Sequence, residues 1–338
     1  MKAVGYLKSL PLTDPKALVD LTADKPAPGP RDLRVAIKAI SVNPVDTKVR
    51  MRAEPKAGEA PKVLGFDAAG VVDAVGADVT LFKAGDEVFY AGSIARPGTN
   101  SEFHLVDERI VGTKPKSLTF AQAAALPLTS ITAWEMLFDR LKVQPAKTPD
   151  GRALLVIGGG GGVGSIMIQL ARRLTGLTII ATASRQETRD WCLKLGADHV
   201  IDHHKPLAEQ LKAIGHPQVA MVAGITGTEQ SAPQLADIIA PQGQFVLIDD
   251  PKTLNVMPFK PKSLSVHWES MFTRSVFGTA DMIAQHRLLN EVSAMIDAGL
   301  IVTTAAQELS PINAANLIKA HAQIESGTTI GKVVLSGW

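Results

Sequence analysis

Cysteine is nearly absent: Cys192 is the one thiol in 338 residues. That excludes an intrachain disulfide and any site built on several thiolates of one chain, and it fits a reducing compartment. No run of about 18 apolar residues occurs, so no segment reads as a membrane span. The opening Met1-Lys2-Ala3-Val4-Gly5-Tyr6-Leu7 is broken by Lys8 and Pro11 before it reaches the length of a signal-peptide core, and a cytoplasmic location is expected. Charge of one sign is not in excess either: 35 Lys and Arg stand against 33 Asp and Glu. Without a basic stripe to neutralise phosphates, nucleic acid is not an expected partner. Internal repeats and low-complexity tracts are missing too.

What remains is an ordinary globular mixture, 46% apolar and 20% charged, in a chain longer than one core usually holds. Two domains are therefore expected. Up to about residue 125 the apolar pattern is short and strand-like, as where Leu33, Val35 and Ile37 alternate with polar or small residues. After about residue 150 apolar runs alternate with helical patterns. Leu154–Ile157, Leu177–Ala183 and Val219–Ile225 are each followed by a helix, and Phe245–Ile248 ends the series. Strand and helix in alternation argue for a parallel sheet covered on both faces. From about 275 a helical stretch through Met282, Leu288, Leu289, Val292, Met295 and Ile296, then the strand-like Gly331–Leu335, leave that series. They are expected to return to the first domain, giving 1–125 with 275–338 as one domain and 126–274 as the other.

Five glycines stand together at 158–162, and Gly159, Gly161 and Gly164 fit G-x-G-x-x-G immediately after Leu154–Ile157. Val163, Ile166, Met167, Leu170, Ala171 and Leu174 then recur at helical spacing. In a strand–turn–helix of this kind the first glycine permits the turn, and the second lets backbone approach a pyrophosphate. The third packs helix on strand, and the helix N-terminus offers unpaired N–H groups. Gly159, Gly161, Gly162, Val163 and Gly164 are thus candidate dinucleotide-binding residues. About 20 residues on, an NAD site carries a carboxylate for the ribose 2′-hydroxyl. Here that place holds Ser184 and Arg185, with Glu187 inside the next helix. An arginine there can fork onto a 2′-phosphate, which points to NADPH; the other reading is an exposed arginine at a helix start.

With these residues in view, the chain resembles the quinone oxidoreductase branch of the medium-chain dehydrogenase/reductases, particularly the zinc-type alcohol dehydrogenase-like group. The matching segments, spread over essentially the whole chain, are Ser41-Val42-Asn43-Pro44-Val45-Asp46, Leu64-Gly65-Phe66-Asp67-Ala68-Ala69-Gly70, Gly85-Asp86-Glu87-Val88, Pro127-Leu128-Thr129-Ser130-Ile131-Thr132-Ala133-Trp134, Gly161-Gly162-Val163-Gly164 and Gly331-Lys332-Val333-Val334-Leu335. The resemblance implies an α/β protein: a chaperonin-10-like β-barrel catalytic domain from the two chain ends and a Rossmann doubly wound nucleotide-binding domain between them. It also implies a homodimer and hydride transfer to quinones or activated double bonds. By the same resemblance Asn43, Thr129 and Lys332 approach the nicotinamide half of the cofactor. Thr226 and Asp249 sit at strand C-terminal ends where such folds bind ligands. His203 stands where relatives often place a tyrosine near the adenine-ribose phosphate; a lone surface histidine is the other reading.

Zinc-dependent members of the superfamily take ligands from Cys-x-x-Asp and Gly-His-Glu segments, which here read Asn43-Pro44-Val45-Asp46 and Gly65-Phe66-Asp67. An amide and a phenyl ring cannot stand in for thiolate and imidazole, so no metal is expected. The polar candidates for catalysis are Asn43, Asp46 and Tyr90, with His267-Trp268-Glu269 as a further segment to inspect. Asp46 can equally serve to cap a helix, and Tyr90 can equally be a barrel residue. The functional expectation is an NADPH-dependent reductase of quinones or α,β-unsaturated carbonyls. An alcohol or aldehyde reductase on the same scaffold and a non-catalytic NADPH-binding protein stay open beside it.

Overall fold

The computed structural model describes every residue except Lys147. The chain forms two compact units, Met1–Ile131 with Phe272–Trp338, and Thr132–Met271. No helix among the described residues is long and apolar enough to cross a membrane.

In the first unit the alternation of Leu33, Val35 and Ile37 becomes the strand Asp32–Ser41, which buries those three side chains on one face. This strand is the hub of a seven-stranded sheet. Asp67–Val75, Phe103–Asp107 and Lys332–Ser336 all run antiparallel to it. Glu87–Tyr90, Val111–Thr113 and Ala305–Leu309 extend the sheet outward. The core it covers includes Val4, Tyr6, Leu33, Ile40, Val72, Val88, Leu317 and Leu335. At Gly70 a Cβ would lie 2.3 Å from the Ala36 carbonyl oxygen, so only glycine lets these two strands approach. The register matters most at one end of the hub strand. Ser41 is opposite Asp67 on one side and Val334 on the other, and the helix Pro44–Arg52 begins directly afterwards.

The second unit holds six strands whose spatial order is His199–Ile201, Thr178–Thr182, Ala153–Ile157, Val219–Gly224, Ile239–Leu247 and Ser265–Trp268, each parallel to its neighbour. Numbered along the chain, that order is 3-2-1-4-5-6, the doubly wound arrangement, whose ligand crevice lies where the winding reverses, beside the first strand. The helix Gly162–Leu174 packs with Val163, Ile166, Met167, Leu170 and Ala171 buried. Two features exceed the sequence pattern. The fifth strand starts at Ile239, six residues before the apolar run, and its first part hides the strand pattern because it carries Pro241 and Gln242, both exposed, followed by Gly243. The sixth strand, Ser-Val-His-Trp, lies at the sheet edge with both ends exposed and has no apolar run to betray it.

Candidate active site

At the end of the hub strand of the first unit a group of polar side chains is buried together. Asn43, Asp67 and Lys332 are each at most 2% exposed. Asp67 accepts four hydrogen bonds: Oδ2 from Ser41 Oγ at 2.9 Å, Asn43 Nδ2 at 2.8 Å and Lys332 Nζ at 3.3 Å, and Oδ1 from the Leu128 backbone N–H at 2.7 Å. Lys332 Nζ also donates to the Val42 carbonyl at 2.8 Å and to Asn43 Oδ1 at 2.5 Å. An ammonium has three hydrogens, so all three are engaged inside the cluster. Burial pushes the Lys332 amine down, while the carboxylates of Asp67 and Asp46 hold it up.

Asn43 is also the N-cap of the helix Pro44–Arg52, and Asp46 is that helix's third residue. Asp46 Oδ2 accepts from the Asn43 N–H at 2.8 Å, closing a capping box, and Oδ1 accepts from the Gly65 N–H at 3.1 Å. Gly65 has φ +99°, and a Cβ there would sit 2.3 Å from Asn100 Oδ1. Burial raises the Asp46 carboxyl to about 7, against the pull of these two N–H groups and of Lys332. Thr129, 2% exposed on the helix Pro127–Trp134, donates its hydroxyl back to the carbonyl of Leu126, the residue just before that helix, at 3.1 Å.

Tyr90 is fully buried in the barrel sheet, its hydroxyl 3.0 Å from His104 Nδ1 and its ring stacked on that imidazole at 5.5 Å. His104 Nε2 lies 3.0 Å from the Pro97 carbonyl, which can only accept. Nε2 therefore carries the hydrogen, Nδ1 accepts, and the Tyr90 proton is committed to His104. Burial lowers His104 to about 4 and holds the Tyr90 phenol well above its usual range.

In the second unit the glycine loop divides its work among different glycines than the motif suggests. The positive φ of the turn, +93°, falls at Gly158, one residue before the first motif position. A Cβ on Gly159 would meet Ala181 Cβ at 2.8 Å and Cys192 Sγ at 3.0 Å, so this glycine serves packing. Gly164 performs the close approach of helix to loop, since a Cβ there would be 2.4 Å from the Gly158 carbonyl oxygen. Gly161 is different. It has no left-handed φ, and the nearest atom to an added Cβ is 3.8 Å away. Nothing inside the protein requires glycine there, and what the missing side chain leaves is a cradle at the N-terminus of the helix Gly162–Leu174. That cradle fits a dinucleotide pyrophosphate. Thr182 fixes the loop from below, its hydroxyl accepting from the Gly158 N–H at 3.0 Å and its carbonyl from the Gly159 N–H at 3.2 Å.

Ser184 and Arg185 follow the strand Thr178–Thr182, Ser184 half-buried and Arg185 exposed at the N-cap of the helix Gln186–Leu195. One turn on, Arg189 donates to the Val200 carbonyl at 2.9 Å and the Ala183 carbonyl at 3.4 Å, tying two strand ends together. His203 is exposed and tilted against His204 at 4.3 Å; burial and that neighbour lower its basicity. Thr226 is exposed beside Gly158, whose added Cβ would touch its methyl at 2.9 Å. Asp249 Oδ2 accepts from the Thr228 N–H at 2.9 Å and so caps the helix Thr228–Ile238. Cys192 is fully buried, and burial raises its thiol to about 11.

Two family models match the chain, an alcohol dehydrogenase GroES-like domain over residues 29–133 and a zinc-binding dehydrogenase domain over 195–335. A zinc-type alcohol dehydrogenase-like protein of Staphylococcus aureus (strain MSSA476) is 41% identical over 341 residues, which cover 99% of this chain and 100% of the relative. The chain belongs to the medium-chain dehydrogenase/reductase superfamily, in its quinone oxidoreductase-like, zinc-type alcohol dehydrogenase-like branch. It is an oxidoreductase of that family. A tomato 2-methylene-furan-3-one reductase is 38% identical over 214 residues, 61% of this chain and 52% of the reductase. Among solved structures, a Rhizobium etli CFN 42 protein provisionally described as a zinc-dependent alcohol dehydrogenase superposes with TM-score 0.96 at 59% identity, covering 100% of this chain and 98% of that one. Escherichia coli quinone oxidoreductase complexed with NADPH superposes with TM-score 0.84 at 27% identity, covering 99% and 100%.

The zinc in the branch's name does not fit this member's side chains. Of the three candidate donor positions, Asn43 presents an amide whose oxygen is held by Lys332. Phe66 is a phenyl ring packed edge-on against Phe272 at 5.0 Å. Asp67 is a carboxylate with four donors around it, one of them an ammonium. Among the described residues no group of three or more His, Cys, Asp or Glu side chains could hold a metal ion.

Sequence reasoning did not single out Ser41, His104, Thr182 or Arg189. Ser41 had a signal, since it stands two residues before Asn43 in an extended run and so shares its side. His104 had none, because its partners Tyr90 and Pro97, one on a different strand and one in a loop, meet it only in the folded barrel.

Proposed function

We propose that this protein is an NADPH-dependent, zinc-independent reductase of quinones and α,β-unsaturated carbonyls. The observation that carries this reading is the closed cluster of Asn43, Asp67 and Lys332. A site that reduces an isolated carbonyl must stabilise an alkoxide, which calls for a metal or a positioned side-chain proton donor. Here the one cation of the cluster has no hydrogen left to give, and the Tyr90 proton is committed to His104. Conjugated acceptors demand less, because an enolate or a hydroquinone anion spreads the charge, and backbone N–H groups or water suffice to meet it.

The reduced nicotinamide, when bound, supplies the hydride. In this reading Gly159, Gly161, Gly162, Val163 and Gly164 receive the pyrophosphate, with Thr226 and Asp249 at the neighbouring strand ends. Asn43 and Thr129 serve the nicotinamide end, Lys332 acting through Asn43. Asp46 fixes the Asn43 backbone and Gly65, and solvent rather than Tyr90 returns the proton. Ser184 and Arg185 hold the 2′-phosphate, with His203 as a neutral neighbour. Arg185 stands exposed at the N-cap of its helix, where its guanidinium can fork onto phosphate oxygens. NADPH as the cofactor is supported by the E. coli relative's complex with it.

Arg185→Ala should weaken NADPH by about ten- to a hundredfold, the worth of a charge-assisted bond, and leave NADH nearly unchanged. NADPH oxidation should be readily measured with 1,2-naphthoquinone or short enones and stay near background with simple ketones and primary alcohols. Faster turnover of a simple ketone than of every quinone and enone would move the assignment to an alcohol or aldehyde reductase. Equal affinity for NADH and NADPH would sink the cofactor assignment.

A further inference from the structure

We infer that the first unit carries a second ligand site, a pocket that takes a small carboxylate with an apolar body between Arg96 and Arg109. The pocket shares no residue with the cluster of Asn43, Asp67 and Lys332, so this holds whichever acceptor the protein reduces.

The pocket has a volume of about 150 Å³ and lies between the strand Phe103–Asp107, with the turn after it, and the segment 275–282. Strand register builds its charged rim. Asp32 stands directly opposite Asp107 on an antiparallel pair, and two like charges so placed repel unless each has its own cation. Arg96 reaches Asp32 with Nη1 at 2.8 Å and Nη2 at 2.9 Å, and Arg109 reaches Asp107 with Nε at 2.9 Å and Nη2 at 2.7 Å. The register that brings the two aspartates together thereby brings two guanidinium groups to one pocket. Both remain open to solvent, 35% and 38% exposed as side chains, so a ligand can reach them.

The pocket holds more donors than acceptors. A guanidinium has five N–H groups, and each of these two commits two of them to its aspartate, which leaves three apiece. Asp107 also lines the pocket, but its Oδ1 already accepts from the Arg109 Nε–H and backbone N–H, and its Oδ2 from Nη2. Ser93, 7% exposed, stands on the same wall, and its hydroxyl is enclosed without a partner in the protein. A hydroxyl shut away like this is unfavourable until something bonds it. The rest of the wall includes the apolar side chains of Leu105, Ile110 and Met282. What completes such a pocket is a group that only accepts, joined to an apolar body, and a cavity of this volume holds a body about the size of benzene. A carboxylate matches the fork of a guanidinium. Because two aspartates already balance the two arginines, a single negative charge suits the site better than the higher charge of phosphate.

The probe is benzoate, titrated calorimetrically into the full chain in excess NADPH, which keeps the probe off a cofactor site. Binding with a Kd of about 1 mM or tighter is expected, with benzyl alcohol and inorganic phosphate each about tenfold weaker or more. Arg96→Gln and Arg109→Gln should each weaken benzoate by about tenfold or more. Ser93→Ala should weaken it severalfold, and Leu105→Trp, which fills the pocket, should abolish binding. Circular dichroism and melting curves establish that each variant is folded; Arg96, Leu105 and Arg109 are all part-exposed, and the two glutamine variants decide the matter if Leu105→Trp does not fold. Absence of benzoate binding overturns the inference. So does benzoate binding that both folded glutamine variants retain at parental strength, which would place the probe elsewhere, and so does benzyl alcohol binding as tightly as benzoate, which would leave the arginines no part in it. Binding is read without turnover, so failure here and failure of the quinone assignment are separate results.

Discussion

The two units hold the polar side chains around their candidate sites in opposite ways, although the second also buries polar groups elsewhere, Glu135 and Glu269 among them. The first buries them: Asn43, Asp46, Arg50, Asp67, His104, His321 and Lys332 are all at most 4% exposed. The second brings them to strand ends, with Arg185, His203 and Thr226 exposed and Gly161 leaving a gap that no protein atom fills. A group enclosed and fully bonded is fixed in advance and contributes by position. One left open is completed by what binds to it. The first unit is accordingly a preorganised surface, and the second is a receptor.

The contrast should show most strongly in acid. His104 and His321 are lowered by burial to about 4 and about 3. Arg50 faces His321, neither ring nitrogen of which has a hydrogen-bond partner, and Arg96 and Asp32 lie near His104. A histidine whose folded pKa is depressed binds its proton more readily when unfolded. Its contribution is full above about pH 6.5 and is lost as the pH falls toward 4. Each is worth on the order of 3–5 kcal/mol. Asp46, raised to about 7, works the other way, favouring the fold at low pH and losing that contribution as pH rises through 7. Two histidines against one carboxyl leave a net loss on acidification. The second unit's His203 and His267 are lowered as well, but both keep solvent contact. Hydrogen exchange at pH 7 and 4.5 should therefore show residues 1–131 and 272–338 losing protection before 132–271, and His321→Leu should reduce the difference. Loss of protection first in 132–271 would reverse the comparison.

A smaller effect separates two glycines of the receptor. Gly164→Ala forces a Cβ to within 2.4 Å of the Gly158 carbonyl oxygen, and the overpacking should cost about 1–3 kcal/mol of stability. Gly161→Ala has room for its Cβ, 3.8 Å from the nearest atom, and should melt within about 0.5 kcal/mol of the parent. It should nonetheless bind NADPH at least tenfold more weakly, because the methyl fills the cradle. Melting curves and a fluorescence titration read the two quantities separately. If both variants melt equally early, Gly161 is structural and the cradle assignment fails.

These residues also show where sequence reading is strong and where it stops. The strand Leu154–Ile157, the glycine loop and the helix after it are local, because turn, periodicity and apolar run are contiguous, and the α/β fold class follows from their repetition. The division of roles among Gly158, Gly159 and Gly161 is not local, since it depends on Ala181 from the next strand, Cys192 from the helix after it and Thr226 from the turn after Val219–Gly224. Asn43 and Lys332 were legible as matching segments, and Asp67 as the remnant of a ligand triplet. That the three bond one another depends on a register linking residues 289 positions apart in sequence. The edge strand Ser265–Trp268 was not legible, because a partly exposed strand carries neither alternation nor an apolar run.

The smallest expected effect on catalysis is the sharpest check on the enclosed groups. Tyr90 is one of two tyrosines and a candidate proton donor by residue type. The tautomer of His104 decides the matter. Its Nε2 faces the Pro97 carbonyl and must donate, so its Nδ1 must accept, and the Tyr90 hydroxyl is the donor it accepts from. A phenol whose hydrogen is so placed, and whose acidity burial suppresses further, has no proton to deliver to a substrate. Tyr90→Phe should then leave Nδ1 without a partner in the core, costing about 1–3 kcal/mol of stability, while kcat with a quinone acceptor stays within about threefold of the parent. A proton donor used in the reaction would instead lower kcat by about 10²-fold or more. Such a loss, with the melting temperature unchanged, would mean that the Tyr90 hydroxyl turns away from His104 during turnover, and that the first unit is less fixed than its hydrogen bonds imply.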